Sequence, residues 1–162
     1  MLDIEGAMYN ENHVFPVLAN LKHLELIVTA NNRGALCHLN SFMKASPCLR
    51  RLVLKFGFSG FEGIRKKKRV GKCPHPNLKL VEIVGYRADI CVVKQVMYLM
   101  KNATALEKLV IDPVRRWEYP SELYPNEKDR GVEQVKEEVE ARDHAMQQLK
   151  GKVSSTIEFV CL

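Results

Sequence analysis

Four short segments of the chain repeat one arrangement of apolar and polar positions, L-x-x-[LV]-x-[LI]: LKHLEL from Leu21, LRRLVL from Leu49, LKLVEI from Leu78 and LEKLVI from Leu106. Their starts lie 28, 29 and 28 residues apart. Apolar residues two apart fall on one face of an extended chain and the residues between them on the other, so each segment predicts a strand. A fifth segment, STIEFVCL at 155–162, lies 48 residues on and places Ile157 and Phe159 at the later apolar positions, which predicts an insertion in the last unit. Between strands the period changes to that of a helix. Leu36, Leu39, Phe42 and Met43 share one face of 35–45, and Ser46-Pro47 ends the run because proline cannot continue a helix. Val93, Val96, Met97 and Met100 mark a second helix, with Asp89 as its N-cap. Val132, Val135, Val139, Met146 and Leu149 mark a third over 132–149, with Arg142 where one apolar residue is missing.

A period of 28–29 residues carrying one strand and one helix is that of a leucine-rich repeat. The predicted fold is an α/β solenoid of four to five irregular repeats, with parallel strands on the concave face and helices on the convex face. Many such repeats place Asn or Cys three residues after the last motif leucine, to satisfy backbone groups in the turn. Those positions here are Thr29, Gly57, Tyr86 and Val114, so the turns must be closed by other means. A solenoid also needs capped ends. The C-terminal helix and strand serve at one end. Residues 1–17 offer only a few apolar residues, Leu2, Ile4, Val14 and Phe15 among them, so the chain is expected to be the tail of something longer.

Composition narrows the function classes. The 162 residues suit one domain, and an apolar share of 46% suits a packed core. There is no apolar run long enough for a membrane span and no apolar signal-peptide core after Met1. The five cysteines (Cys37, Cys48, Cys73, Cys91, Cys161) are an odd, widely spaced set without a CxxC pair, which points to reduced thiols in the cytoplasm or nucleus. The net charge of +6 comes from one place: without Arg65, Lys66, Lys67, Lys68, Arg69 and Lys72 the remaining basic residues equal the 19 acidic ones. That run resembles a nuclear localisation signal or a nucleic-acid contact, and it equally suits a solvated loop, being flanked by Gly57, Gly60, Gly63 and Gly71. No aromatic residues interleave with it to stack bases.

Residues 76–112 resemble the FBD-type C-terminal region of plant F-box/leucine-rich-repeat proteins. The resemblance rests on NLKLVEIVGY at Asn77–Tyr86, YLMKNA at Tyr98–Ala103 and LEKLVIDP at Leu106–Pro113. ARDHAMQQLKGKVSSTIEFVCL at 141–162 is similar to the helix and closing strand of grass members, and the resemblance extends over roughly 14–162. It implies a single domain: lead-in 1–17, repeats 18–75, FBD-like core 76–113, a loop insertion 114–131, and the helix and capping strand 132–162. It further implies the substrate-recruiting half of a ubiquitin-ligase receptor. The F-box that docks a Skp-type adaptor is missing, since residues 1–17 are too short and lack an LPxxLL-like opening. An adaptor is therefore expected only if an F-box lies upstream.

The expected binding surface is the concave face. Counting from the repeat frame places His23, Glu25, Arg51, Lys55, Leu80, Glu82, Lys108, Asp112 and Glu158 there. Mixed charge with an apolar anchor suits a protein partner better than a polyphosphate. Other candidates carry less. Cys73-Pro74-His75 could offer a metal ligand pair, but a site needs three or four ligands, and His13, His23, His38 and His144 stand singly. There is no GxSxG, HExxH or P-loop, so no enzyme, no cofactor and no metal are expected. The 132–149 helix could pair as a short coiled coil, though packing on the sheet is the better account. The stretch Trp117–Gly131 reads as an exposed loop. The reading is a protein-binding module; a nuclear nucleic-acid-associated protein and a repeat fragment without a stable partner are the alternatives.

Overall fold

A computed structural model of the chain describes residues 16–28, 35–57, 74–115 and 131–162, with 35–38 described in backbone only. Five strands, β1 (His23–Val28), β2 (Arg51–Phe56), β3 (Leu80–Val84), β4 (Lys108–Asp112) and β5 (Glu158–Cys161), form one parallel sheet in chain order. Among the described residues, α1 (Ala35–Ala45) lies between β1 and β2, α2 (Ile90–Asn102) between β3 and β4, and α3 (Val132–His144) between β4 and β5. This is the predicted α/β repeat architecture, one strand per repeat.

The motif leucines build the core because the register aligns them. Leu24, Leu52, Val81, Leu109 and Phe159 are neighbours across the sheet, as are Leu26, Leu54, Ile83, Ile111 and Cys161. One core cluster joins these residues to Leu39, Phe42 and Met43 of α1, to Val92, Val96 and Leu99 of α2, and to Ala141 of α3. The helices therefore cover one face of the sheet and leave the other open. Burying a leucine or isoleucine in this way contributes about 2 kcal/mol each.

The starts of the strands are held by one hydrogen-bond arrangement used repeatedly. The Lys22 carbonyl accepts from the N–H groups of Arg50 (2.8 Å) and Arg51 (3.0 Å). Arg50 does the same for Lys79 (2.9 Å) and Leu80 (3.1 Å), and Lys79 for Glu107 (2.8 Å) and Lys108 (3.0 Å). The backbone column is thus satisfied without any side chain. His75, nearly buried, adds a side-chain tie: its Nε2 faces the carbonyls of Met43 (3.1 Å) and Ser46 (3.0 Å), so that nitrogen carries the hydrogen. This turn role accounts for His75. Cys73 lies outside the described residues, and those residues contain no group of three His, Cys, Asp or Glu that could hold a metal ion.

The strand ends are closed case by case, without an asparagine ladder. Gly57 N–H donates to Val28 O (2.9 Å) and Tyr86 N–H to Asp112 O (3.0 Å). Gly85 turns the chain at φ 72°, a conformation costly for other residues. The buried Arg87 guanidinium then takes over the asparagine's duty: Nη1 donates to Tyr86 O (2.8 Å) and Pro113 O (2.7 Å), joining successive turns. Its Nε reaches Glu137 Oε2 on α3 at 3.2 Å.

Three expectations need correction. The buried face of α2 centres on Val92, Val96 and Leu99, one residue round from the predicted stripe, while Asp89 caps it as expected by accepting from Cys91 N–H at 2.7 Å. Strand β5 pairs two residues later than the 48-residue frame: Phe159 and Cys161, not Ile157 and Phe159, stand beside Leu109 and Ile111. A shift by two leaves every side chain on its predicted face, which is why the alternation could not reveal it. The third helix buries Leu149 as predicted and leaves Val135 half-buried, but the rest of its buried face is a different set of residues. Val132 (88%), Val139 (45%) and Met146 (42%) are exposed, while Glu138, Ala141, Ala145 and Leu149 are buried. Alanines let the helix axis approach the turns, where Tyr86 Oη meets His144 Nδ1 at 2.9 Å and Arg142 Nε donates to Leu162 O at 2.8 Å. Buried residues four apart drift round an α-helix, and the wider π-turn at Ala145–Leu149 takes that drift back.

Candidate functional site

The open face of the sheet consists of three rows of side chains, each row one residue per strand. The first row is His23, Arg51, Leu80, Lys108 and Glu158; the second is Glu25, Val53, Glu82, Val110 and Val160. The third holds Ile27, Lys55, Val84 and Asp112, and Leu162 N–H donates to Ile111 O at 3.0 Å, which seats Leu162 at the end of that row. Backbone pairing fixes each row, with neighbouring strands about 4.8 Å apart. The nine predicted residues do share this face.

Their charges are mutually neutralised. Arg51 Nη2 lies 2.7 Å from Glu82 Oε1, Lys55 Nζ 2.6 Å from Glu25 Oε1, and Lys108 Nζ 2.9 Å from Glu158 Oε1. The first two pairs run diagonally on either side of Val53, whose strand neighbours along the chain are Arg51 and Lys55 and across it Glu25 and Glu82. Four charged side chains therefore close over this valine and reduce its exposure to 4%. Beside it lies a shallow depression of about 450 Å³ whose lining includes Lys55, Glu82, Val84, Asp112 and Leu162.

Asp112 departs from its predicted role as a partner contact. It is nearly buried, and its Oδ1 accepts the N–H of Val114 at 2.9 Å, so the carboxylate closes the turn after β4. Conversely, the prediction passed over the apolar members of the face. Ile27, Val84, Val110 and Val160 are half-buried and Leu162 is 49% exposed. The same alternation that placed the charged residues there assigns these valines too. Only a preference for polar contacts hid them.

At the C-terminal end of the sheet, burial pushes the Tyr86 phenol well above its ordinary value, with Cys161 adding to the effect. Burial also pushes the Cys161 thiol up; Arg142 works against this and Asp112 with it. A thiol held in its protonated form is a poor nucleophile. The basic run 65–72 and the loop 117–130 lie outside the described residues. No helix among the described residues is long and apolar enough to cross a membrane.

A parallel sheet that gains one strand per repeat, backed by helices and open on its other face, defines the leucine-rich-repeat class of protein-interaction modules. Residues 2–162 match the profile of the leucine-rich-repeat domain of the At1g61320/AtMIF1 family, a plant protein family, and the chain belongs to that family. No curated protein and no solved structure matches it.

Proposed function

We propose that the chain acts by binding alone, holding a partner protein on the open sheet face, and that it serves as the recruiting part of an F-box-type ubiquitin-ligase receptor. The observation that carries the binding reading is the face itself. Its side chains stand in backbone-fixed rows, its charges are paired, and half-open apolar groups lie among them, the mixture that suits a protein interface. The ligase reading rests on the FBD-like residues 76–112, and a Skp-type adaptor enters only through an F-box upstream of this segment. On this reading the protein resides in the cytoplasm, the nucleus or both, which the odd, widely spaced cysteines and the basic 65–72 run of the sequence support.

The test compares two sets of variants in plant cells by proximity labelling. Leu80→Asp and Val160→Asp alter the open face; Lys94→Glu and Lys101→Glu alter the exposed side of α2. Loss of the same labelled proteins with the first set only, at unchanged melting temperature, supports the reading. Equal labelling by both sets defeats it. The ligase part is tested separately, by sequencing the transcript upstream of Met1 for an in-frame F-box.

A further inference from the structure

We infer that the column of cations at the strand starts receives an acidic segment of the partner, so that the open face selects aspartates or glutamates adjoining an aliphatic side chain. This rests on the binding reading above and names the chemistry of the partner. Lys22, Arg50 and Lys79 occupy equivalent places in successive repeats, and the carbonyl ladder holds their backbones in register. Their Cα atoms therefore stand side by side, one per repeat, about 4.8 Å apart, and each exposed side chain starts from that column. Like charges at that spacing repel one another. The ladder itself makes no use of their side chains, because it runs through main-chain groups alone. Lys79 is compensated by Glu107 at 2.6 Å. Among the described residues, the exposed Lys22 and Arg50 have no acid partner. Carboxylates of a bound segment would supply what these two lack.

The apolar half of the ligand follows from the rows. Leu80 stands beside Arg51 in the first row and Val110 beside Glu82 in the second, both half-open. Lys22 and Arg50 immediately precede the first-row residues His23 and Arg51, so a segment whose carboxylates meet them at the strand starts can continue onto the face over Leu80 and Val110. A nucleic acid is the other polyanion such a column could attract. The column is short, however, and runs directly onto Glu107 and Glu158, whose carboxylates face any anion continuing in that direction. Nor does this face carry a Phe, Tyr or Trp among the described residues for base stacking.

The experiment is selection of a random-sequence peptide display library on the full chain at low ionic strength. Selected peptides are then measured by fluorescence polarisation against wild type, Lys22→Glu/Arg50→Glu and Leu80→Asp. Enrichment of acidic residues next to an aliphatic one is expected. Affinity should fall about tenfold in the double reversal and weaken with salt. If the peptides depend on Leu80 but not on Lys22 and Arg50, the acidic inference falls and the open-face reading stands. If they depend on neither, or none is selected, both fall. A single-stranded oligonucleotide that binds wild type and is lost in the double reversal would also overturn the acidic-peptide occupant.

Discussion

Where the strands begin, Lys22, Arg50 and Lys79 each offer a carbonyl to two N–H groups of the next repeat; where the strands end, the described turns are not closed alike. The carbonyl ladder at the first end uses only main-chain groups, so its hydrogen bonds do not depend on which side chains those residues carry, proline excepted. The other end depends on particular residues: a glycine at positive φ, a buried tyrosine, an arginine shared by two turns and an aspartate bonded to its own turn. The regular end supplies the repeat and the irregular end locks it. Substitutions should therefore cost much at the strand ends and little at the starts.

The largest effect is expected from Arg87→Ala. It frees the carbonyls of Tyr86 and Pro113 and removes the link to Glu137, a loss of about 3 kcal/mol. Thermal denaturation should show a midpoint roughly 10 °C lower. Gly85→Ala comes next. Its φ of 72° forces a side chain into the left-handed region, and chemical denaturation should report a loss of about 1–2 kcal/mol. Tyr86→Phe removes the hydrogen bond to His144 and should lower stability by about 1 kcal/mol near neutral pH. It also carries a pH signature. The folded phenol holds its proton above the ordinary value of 10.0, so the contribution of Tyr86 to stability is constant below pH 10 and is lost as pH rises further. In Tyr86→Phe that part of the alkaline decline should be absent. The smallest effect belongs to the regular end: Arg50→Ala should change stability by less than about 0.5 kcal/mol. A loss as large as that of Arg87→Ala would erase the distinction between the two ends.

The regular end was legible in the sequence and the irregular end was not. Four equally spaced leucine motifs specify the strands, their parallel order and the core, because each motif residue needs only its counterpart one repeat away. Asp89 was legible for the same local reason, since a cap bonds two residues along the chain. Arg87 was not, because Pro113 and Glu137 lie 26 and 50 residues away and nothing in the pattern pairs them. The buried face of α3 was misread because valines outrank alanines in hydrophobicity, while close approach to the turns favours alanine. At the site, periodicity placed the charged residues on the correct face. It could not show that Arg51 would choose Glu82 and Lys55 would choose Glu25, because diagonal pairing depends on side-chain reach across the register. The sealing of Val53 follows from those choices and was equally hidden.

The carbonyl ladder also has a consequence for how such a protein can change over time. At positions 22, 50, 79 and 107 the ladder asks nothing of the side chain, since the bonds between repeats run through the main chain, and only the exposed Lys79–Glu107 pair links side chains there. Mutations there leave the scaffold intact while altering the charge it presents. A lineage can therefore alter the surface charge along that column one residue at a time at little cost to the scaffold.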